Sequence, residues 1–182
     1  EPSYDKAERI KDRGIRGRVL FIDHETPRPD RDAGSHAALV EMELVQQLGY
    51  KVTLLPANLA WLANYTEDLQ RRGIEVLHAP FVLSLQQALD QRGAEFDAVY
   101  VTRYTVAQSV LPLLREHAPN AKVLFCNADL HYLRELRAAR AEALDGDAAE
   151  RALAAVEQIK RQELEVMGQV DLTLSYNEVE RG

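Results

Sequence analysis

From Arg18 onward, short runs of β-branched and aromatic residues alternate with longer segments of helical period, and this alternation restricts the fold more than any other feature of the chain. The runs fall at 19–23, 51–56, 75–79, 98–103, 122–127 and 171–176. Strand and helix in turn predict βαβ units and a mostly parallel sheet. Runs such as Val-Leu-Phe-Ile and Val-Leu-Phe-Cys are apolar almost throughout, which means burial on both faces and helices packed on both sides. The expected fold class is α/β, a Rossmann-like three-layer α/β/α sandwich.

The intervening helices are readable from periods and stops. Ala37, Val40, Leu44 and Leu48 recur at helical spacing ahead of Gly49, and 66–72 ends in the same way at Gly73. Thr105 can cap a helix carrying Val106, Val110, Leu113 and Leu114, while 148–167 forms a long amphipathic helix ending at Gly168. Asp145-Gly146-Asp147 reads as a turn between two helices. Residues 1–17 are charged and lack apolar period, so they read as a linker or leader before one domain over 18–182. The start at Glu1 and the stop just after an apolar run point to a piece cut from a longer protein.

A chain of 182 residues with 46% hydrophobic and 28% charged residues suits a single core. It contains no run of the ~18 apolar residues that a membrane helix needs, and no apolar signal-peptide core near its start. The single cysteine, Cys126, excludes an internal disulfide and any multi-cysteine metal site, which fits a reducing, cytoplasmic setting. A net charge of -7 is opposite to the basic footprint of a nucleic-acid binder, so nucleic acid is not an expected partner. Of the 22 basic residues 17 are arginine, the side chain suited to bidentate capture of phosphate or carboxylate.

Ligands of a doubly wound sheet bind beyond the carboxyl ends of its strands, which directs attention to three loops. The first, from Asp23 to His36, is dense in charge and stiffened by Pro27 and Pro29. Its Ala33-Gly34-Ser35 segment lets backbone approach an anion at a helix N-terminus, although a solvated loop with Asp32 or Ser35 as N-cap accounts for the same residues. Arg103 and Tyr104 follow the fourth run, where the arginine pairs either with a ligand or with a neighbouring acidic residue. Asp129, His131 and Arg134 follow the fifth and supply an acceptor, a titratable group and a fixed cation, suited to sugar hydroxyls or proton transfer, or else to a helix cap and a structural hydrogen bond. No histidine or carboxylate spacing suggests a metal, so no metal or other cofactor is expected. Burial in its strand makes Cys126 a packing residue, and core or interdomain packing is the first expectation for Trp61.

A dinucleotide-binding oxidoreductase requires Gly-x-Gly-x-x-Gly after its first strand, and only Gly34 is present. A phosphorelay receiver would explain the acidic end of the first run, but Val-Leu-His-Ala-Pro stands where the phospho-acceptor aspartate belongs. The order Val-Leu-Phe-Ile-Asp-His-Glu-Thr-Pro-Arg-Pro-Asp-Arg-Asp-Ala-Gly-Ser, Leu-Gly-Tyr-Lys-Val-Thr-Leu-Leu-Pro, Arg-Gly-Ile-Glu-Val-Leu, Tyr-Val-Thr-Arg, Ala-Pro-Asn-Ala-Lys-Val-Leu-Phe, Asp-Leu-His-Tyr-Leu-Arg-Glu and Asp-Leu-Thr-Leu-Ser, over about 18–181, resembles the N-terminal domain of family 4 glycosyltransferases.

The resemblance implies the acceptor-side half of a retaining GT-B enzyme that moves a sugar from a nucleotide-sugar donor to a glycan or lipid-linked acceptor in surface polysaccharide synthesis. It also implies a missing C-terminal domain holding most of the donor pocket, and an inactive fragment. Ala33, Gly34 and Ser35 would then approach the donor diphosphate, and His131 the donor sugar. Arg103, Tyr104, Asp129 and Arg134 are substrate-binding candidates without assigned steps. Family members often work at the cytoplasmic face of the membrane, so the resemblance leaves a membrane surface open as a partner, though the net charge shows no strong anchor for anionic lipid. A noncatalytic sugar- or nucleotide-binding or docking domain is the alternative, and oligomeric state stays open.

Overall fold

The computed structural model describes residues 14–127, 130–141 and 146–176. Among these are the strands β1 (Arg18–Asp23), β2 (Lys51–Pro56), β3 (Glu75–Val76), β4 (Ala98–Thr102), β5 (Lys122–Asn127) and β6 (Leu172–Ser175). The helices are α1 (Ala33–Gln47), α2 (Ala63–Arg71), α3 (Leu85–Arg92), α4 (Tyr104–His117), α5 (His131–Ala141) and α6 (Asp147–Gln169). The strands form one sheet in the order β3-β2-β1-β4-β5-β6, and every pairing is parallel. With helices on both faces, the chain has a Rossmann-like three-layer α/β/α fold.

The alternation of side chains along β1 divides the core in two. Leu20 and Ile22 face one side with Val99, Val101, Val123 and Phe125, under Leu89 of α3, Val110 and Leu114 of α4 and Val166 of α6. Val19 and Phe21 face the other with Val52, Leu54 and Tyr100, under Leu39 and Met42 of α1 and Leu69 of α2. The Phe21 and Tyr100 rings stack at 4.7 Å across the β1–β4 seam.

Several expectations change. Helix α1 buries Ala38, Leu39 and Met42, whereas Val40, Leu44 and Leu48 are 38%, 51% and 58% exposed. Two apolar stripes run along this helix, and the sheet takes the one carrying the unbranched, adaptable Met42. Helix α4 begins at Tyr104, with Arg103 as an N-cap that makes no side-chain cap bond, so Thr105 lies inside the first turn. β3 pairs over only two residues, and β6, at the sheet edge, is not buried on both faces. Helix α3 was not expected. Its signal is Ser84-x-x-Gln87, a capping-box spacing in which the Ser84 hydroxyl accepts the Gln87 N–H at 2.9 Å. The expected leader is described only from Gly14, and the Arg16 N–H already donates to Gly49 O at 2.8 Å.

No helix among the described residues is long and apolar enough to cross a membrane.

Candidate functional site

Strand order reverses between β1 and β4: β1 continues to β2 on one side, while β4 and β5 extend the sheet on the other. Beyond the carboxyl ends of such neighbours the two connections run in opposite directions and leave a crevice, the place where open α/β sheets bind ligands. Here a cleft of ≈ 130 Å³ opens in that position. Its walls include Asp23 from the end of β1, Gly34 and Glu41 from α1, Thr102 and Arg103 from the end of β4, Cys126 and Asn127 from β5, and His131 and Arg134 from α5.

Each wall has a local cause. Asp32 caps α1: its Oδ1 accepts the Ser35 N–H at 2.7 Å, its Oδ2 accepts the Ser35 hydroxyl at 2.7 Å, and its carbonyl accepts the His36 N–H at 3.1 Å. The Ser35 N–H, and then its hydroxyl, hold the Asp32 carboxyl below the usual carboxylate range. This leaves the Ala33 and Gly34 N–H groups at the positive end of a helix dipole. A Cβ on Gly34 would meet Asp32 Oδ1 at 3.3 Å, so glycine is what lets the capping carboxylate sit tightly over the turn.

Arg103 turns the chain from β4 into α4 with φ 64 and ψ 124, a backbone conformation that side-chain-bearing residues rarely adopt and that costs on the order of 1–3 kcal/mol. Its Nε donates to Asp23 Oδ1 at 3.3 Å, joining the ends of β4 and β1. Deeper in the crevice, burial pushes the Glu41 carboxyl upward and the neighbouring Asp23 charge adds to this, against an opposing hydrogen bond from the Tyr100 hydroxyl. The Cys126 thiol is pushed up to about 11, first by burial and then by the Glu41 and Asp23 charges, which makes it an unreactive part of the wall. The Thr102 hydroxyl is buried without a hydrogen-bond partner among the described residues.

His131 opens α5. Its ring packs edge-on against Tyr104 at 5.1 Å, and its Nδ1 lies 3.2 Å from Oε1 of the buried Glu163. Arg134, one turn further along the same helix, also faces the crevice.

The structure therefore brings Gly34, Arg103, His131 and Arg134 together from three connections. Tyr104 reaches the crevice only through the His131 ring, Ala33 and Ser35 belong to the capped turn, and Asp129 lies outside the described residues. Trp61 is not in the core: it is 44% exposed and packs against the His78 ring at 4.8 Å with the planes tilted by 57°, beyond the carboxyl end of β2. Sequence reasoning missed Glu41 and Glu163. Glu163 was discoverable, because it interrupts the apolar stripe made by Val156 and Val166 on α6. Glu41 shares its face of α1 with the buried Ala38 and the half-buried Val45, but the exposed stripe of Val40 and Leu44 beside it masked that signal. No group of three metal-ligating side chains occurs among the described residues.

Comparisons of the chain with protein-family models, with curated proteins and with solved structures found no match.

Proposed function

We propose that this chain is the acceptor-side Rossmann-like domain of a retaining glycosyltransferase of GT-B architecture, which moves a sugar from a nucleotide-sugar donor to a glycan or lipid-linked acceptor. The observation that carries the reading is the convergence of a glycine-bearing helix N-terminus, two arginines and a histidine on the crevice at the β1–β4 switch point. Glycosyl transfer with retention builds positive charge at the anomeric carbon and negative charge on the departing diphosphate. Donors that need no reorganisation stabilise that charge best. The Ala33 and Gly34 N–H groups supply such donors from this side of the cleft, the Arg134 guanidinium adds a cation, and His131 binds a sugar hydroxyl. Arg103, paired with Asp23, fixes the crevice floor.

The assay is release of nucleoside diphosphate from a panel of nucleotide sugars by the intact gene product. Gly34→Leu places a side chain over the helix N-terminus and is expected to lower turnover by roughly a hundredfold, the order seen when one charge-stabilising donor is removed. His131→Ala is expected to cost at least about tenfold with the fold retained. Activity near wild type in both variants would sink the assignment.

A second reading, a sugar-binding domain without catalysis, draws on Asp23 and Glu41. Two carboxylates in the crevice disfavour a polyanion beside them and suit a polyhydroxylated ligand, because carboxylates accept hydrogen bonds from hydroxyls. Saturable sugar binding with no diphosphate release from any donor would select it.

A further inference from the structure

Glu163 is 1% exposed, and its place on α6 between Val156 and Val166 is one where a carboxylate is costly unless fully hydrogen-bonded. Among the described residues its hydrogen bonds all run to the start of another helix. Oε1 accepts the His131 N–H at 2.8 Å and Oε2 accepts the Tyr132 N–H at 3.2 Å, so the side chain caps α5 from outside and sets a negative charge on the positive end of its dipole. Those two bonds account for a cap. The third does not belong to it: Oε1 also lies 3.2 Å from His131 Nδ1, on the ring that forms part of the crevice wall. Tyr104, edge-on at 5.1 Å, confines the same ring from another side.

We infer that Glu163 is a positioning residue for the crevice, holding the His131 ring in the Nδ1–H tautomer so that Nε2 is its polar atom for a ligand. An ionised carboxylate only accepts hydrogen bonds, so the ring hydrogen facing it sits on Nδ1. With the ring neutral, as at the pH of the test below, Nε2 carries a lone pair, and the ligand group that matches a lone pair is a hydroxyl. A phosphate oxygen, itself an acceptor, does not. Within the proposed function, on which this choice of ligand group rests, His131 is thereby matched to the sugar of the donor and not to its diphosphate. The tautomer is a property of the chain alone.

The test uses the described chain labelled with 15N and two-bond proton–nitrogen spectra of its 5 histidines, recorded without ligand at about pH 8.5, above the ordinary imidazole range. His131→Asn assigns the ring. The expected wild-type signal is the Nδ1–H form. In Glu163→Leu the ring reverts to the Nε2–H form that free histidine prefers, with an unchanged circular dichroism spectrum, and sugar-nucleotide affinity of the intact gene product falls by roughly tenfold, as for one lost hydrogen bond. A wild-type ring in the Nε2–H form, or Nδ1–H retained in the leucine variant, overturns the inference. If the leucine variant does not fold, the wild-type spectrum alone decides. Absence of sugar-nucleotide binding by the intact gene product beside an Nδ1–H ring removes the functional reading and leaves the positioning role, whereas binding beside an Nε2–H ring does the reverse.

Discussion

The two edges of the sheet treat their charges differently. At the amino edge the charges close on one another. Arg92 bonds Glu75 at 2.8 Å and Glu95 at 2.8 Å, Arg18 bonds Glu95 at 2.8 Å, the Thr53 hydroxyl donates to Glu75 at 2.9 Å, and the Arg18 N–H donates to Asp97 at 2.8 Å. Burial works to raise the Glu75 carboxyl, and the hydrogen bonds and charge of Arg92 overcome it, so Glu75 lies below the usual carboxylate range. At the carboxyl edge the polar groups are left less well served. Arg103 holds a strained backbone, Glu41 is raised by burial beside Asp23, and Thr102 has a buried hydroxyl without a partner among the described residues. Satisfied polar networks fix a structure, while unsatisfied or strained groups in a crevice are what a protein retains for a ligand. The contrast separates the end that stabilises the fold from the end where the proposed site lies.

This comparison is most sharply challenged at Arg92. Arg92→Ala leaves Glu75 with its charge poorly compensated, and chemical denaturation is expected to show a loss of about 2–3 kcal/mol. A loss below about 0.5 kcal/mol would mean that the amino-edge network is ornamental. Gly17→Ala comes next. A Cβ there would stand 2.4 Å from Asp97 Oδ2, so the carboxylate that accepts the Arg18 N–H must move, at a cost of about 1–2 kcal/mol. On the crevice side, Asp32→Ala removes the α1 cap and is expected to cost about 1 kcal/mol.

At Arg103 the sign is expected to turn. Arg103→Gly relieves the positive φ and gives up an exposed ion pair, so stability stays unchanged or rises by up to about 1 kcal/mol while ligand affinity falls. Clear destabilisation would show that the Arg103–Asp23 pair holds the fold.

The smallest effect is a difference in pH dependence. Glu75 is lowered in the folded state, so its stabilisation is present above the unfolded carboxylate range and is lost as pH falls through the folded value. Glu41 is raised, so relative stability is present below the unfolded range of about 4.3 and is lost as pH rises through the folded value. Glu75→Gln is therefore expected to destabilise at neutral pH and Glu41→Gln to stabilise slightly, and both differences should disappear on acidification. Thermal unfolding of the two variants at several pH values checks the opposite signs.

Much of this architecture is written in local pattern. The sheet was legible because β1, β2, β4 and β5 are apolar on both faces, and a run of that kind has few other uses. The face of α1 was not, because two apolar stripes coexist and only packing against β1 and β2 chooses between them. Within the site, Gly34, Arg103, His131 and Arg134 were legible from their positions after strands, which parallel topology turns into a shared edge. Glu41 and Glu163 act across elements, from α1 toward β4 and β5 and from α6 toward α5, and no local spacing encodes such a meeting. The strain at Arg103 was equally hidden, since an arginine gives no local hint of a positive φ.

The central claim, that the β1–β4 crevice contributes to a sugar-nucleotide site, is tested most directly by mapping amide shifts of the 15N-labelled intact gene product during titration with a panel of nucleoside diphosphate sugars. The account predicts saturable shifts concentrated at Gly34, Arg103, His131 and Arg134 that are lost in His131→Ala. Shifts absent from those residues for every donor in the panel, or concentrated at the amino edge around Glu75 and Arg92, would contradict it.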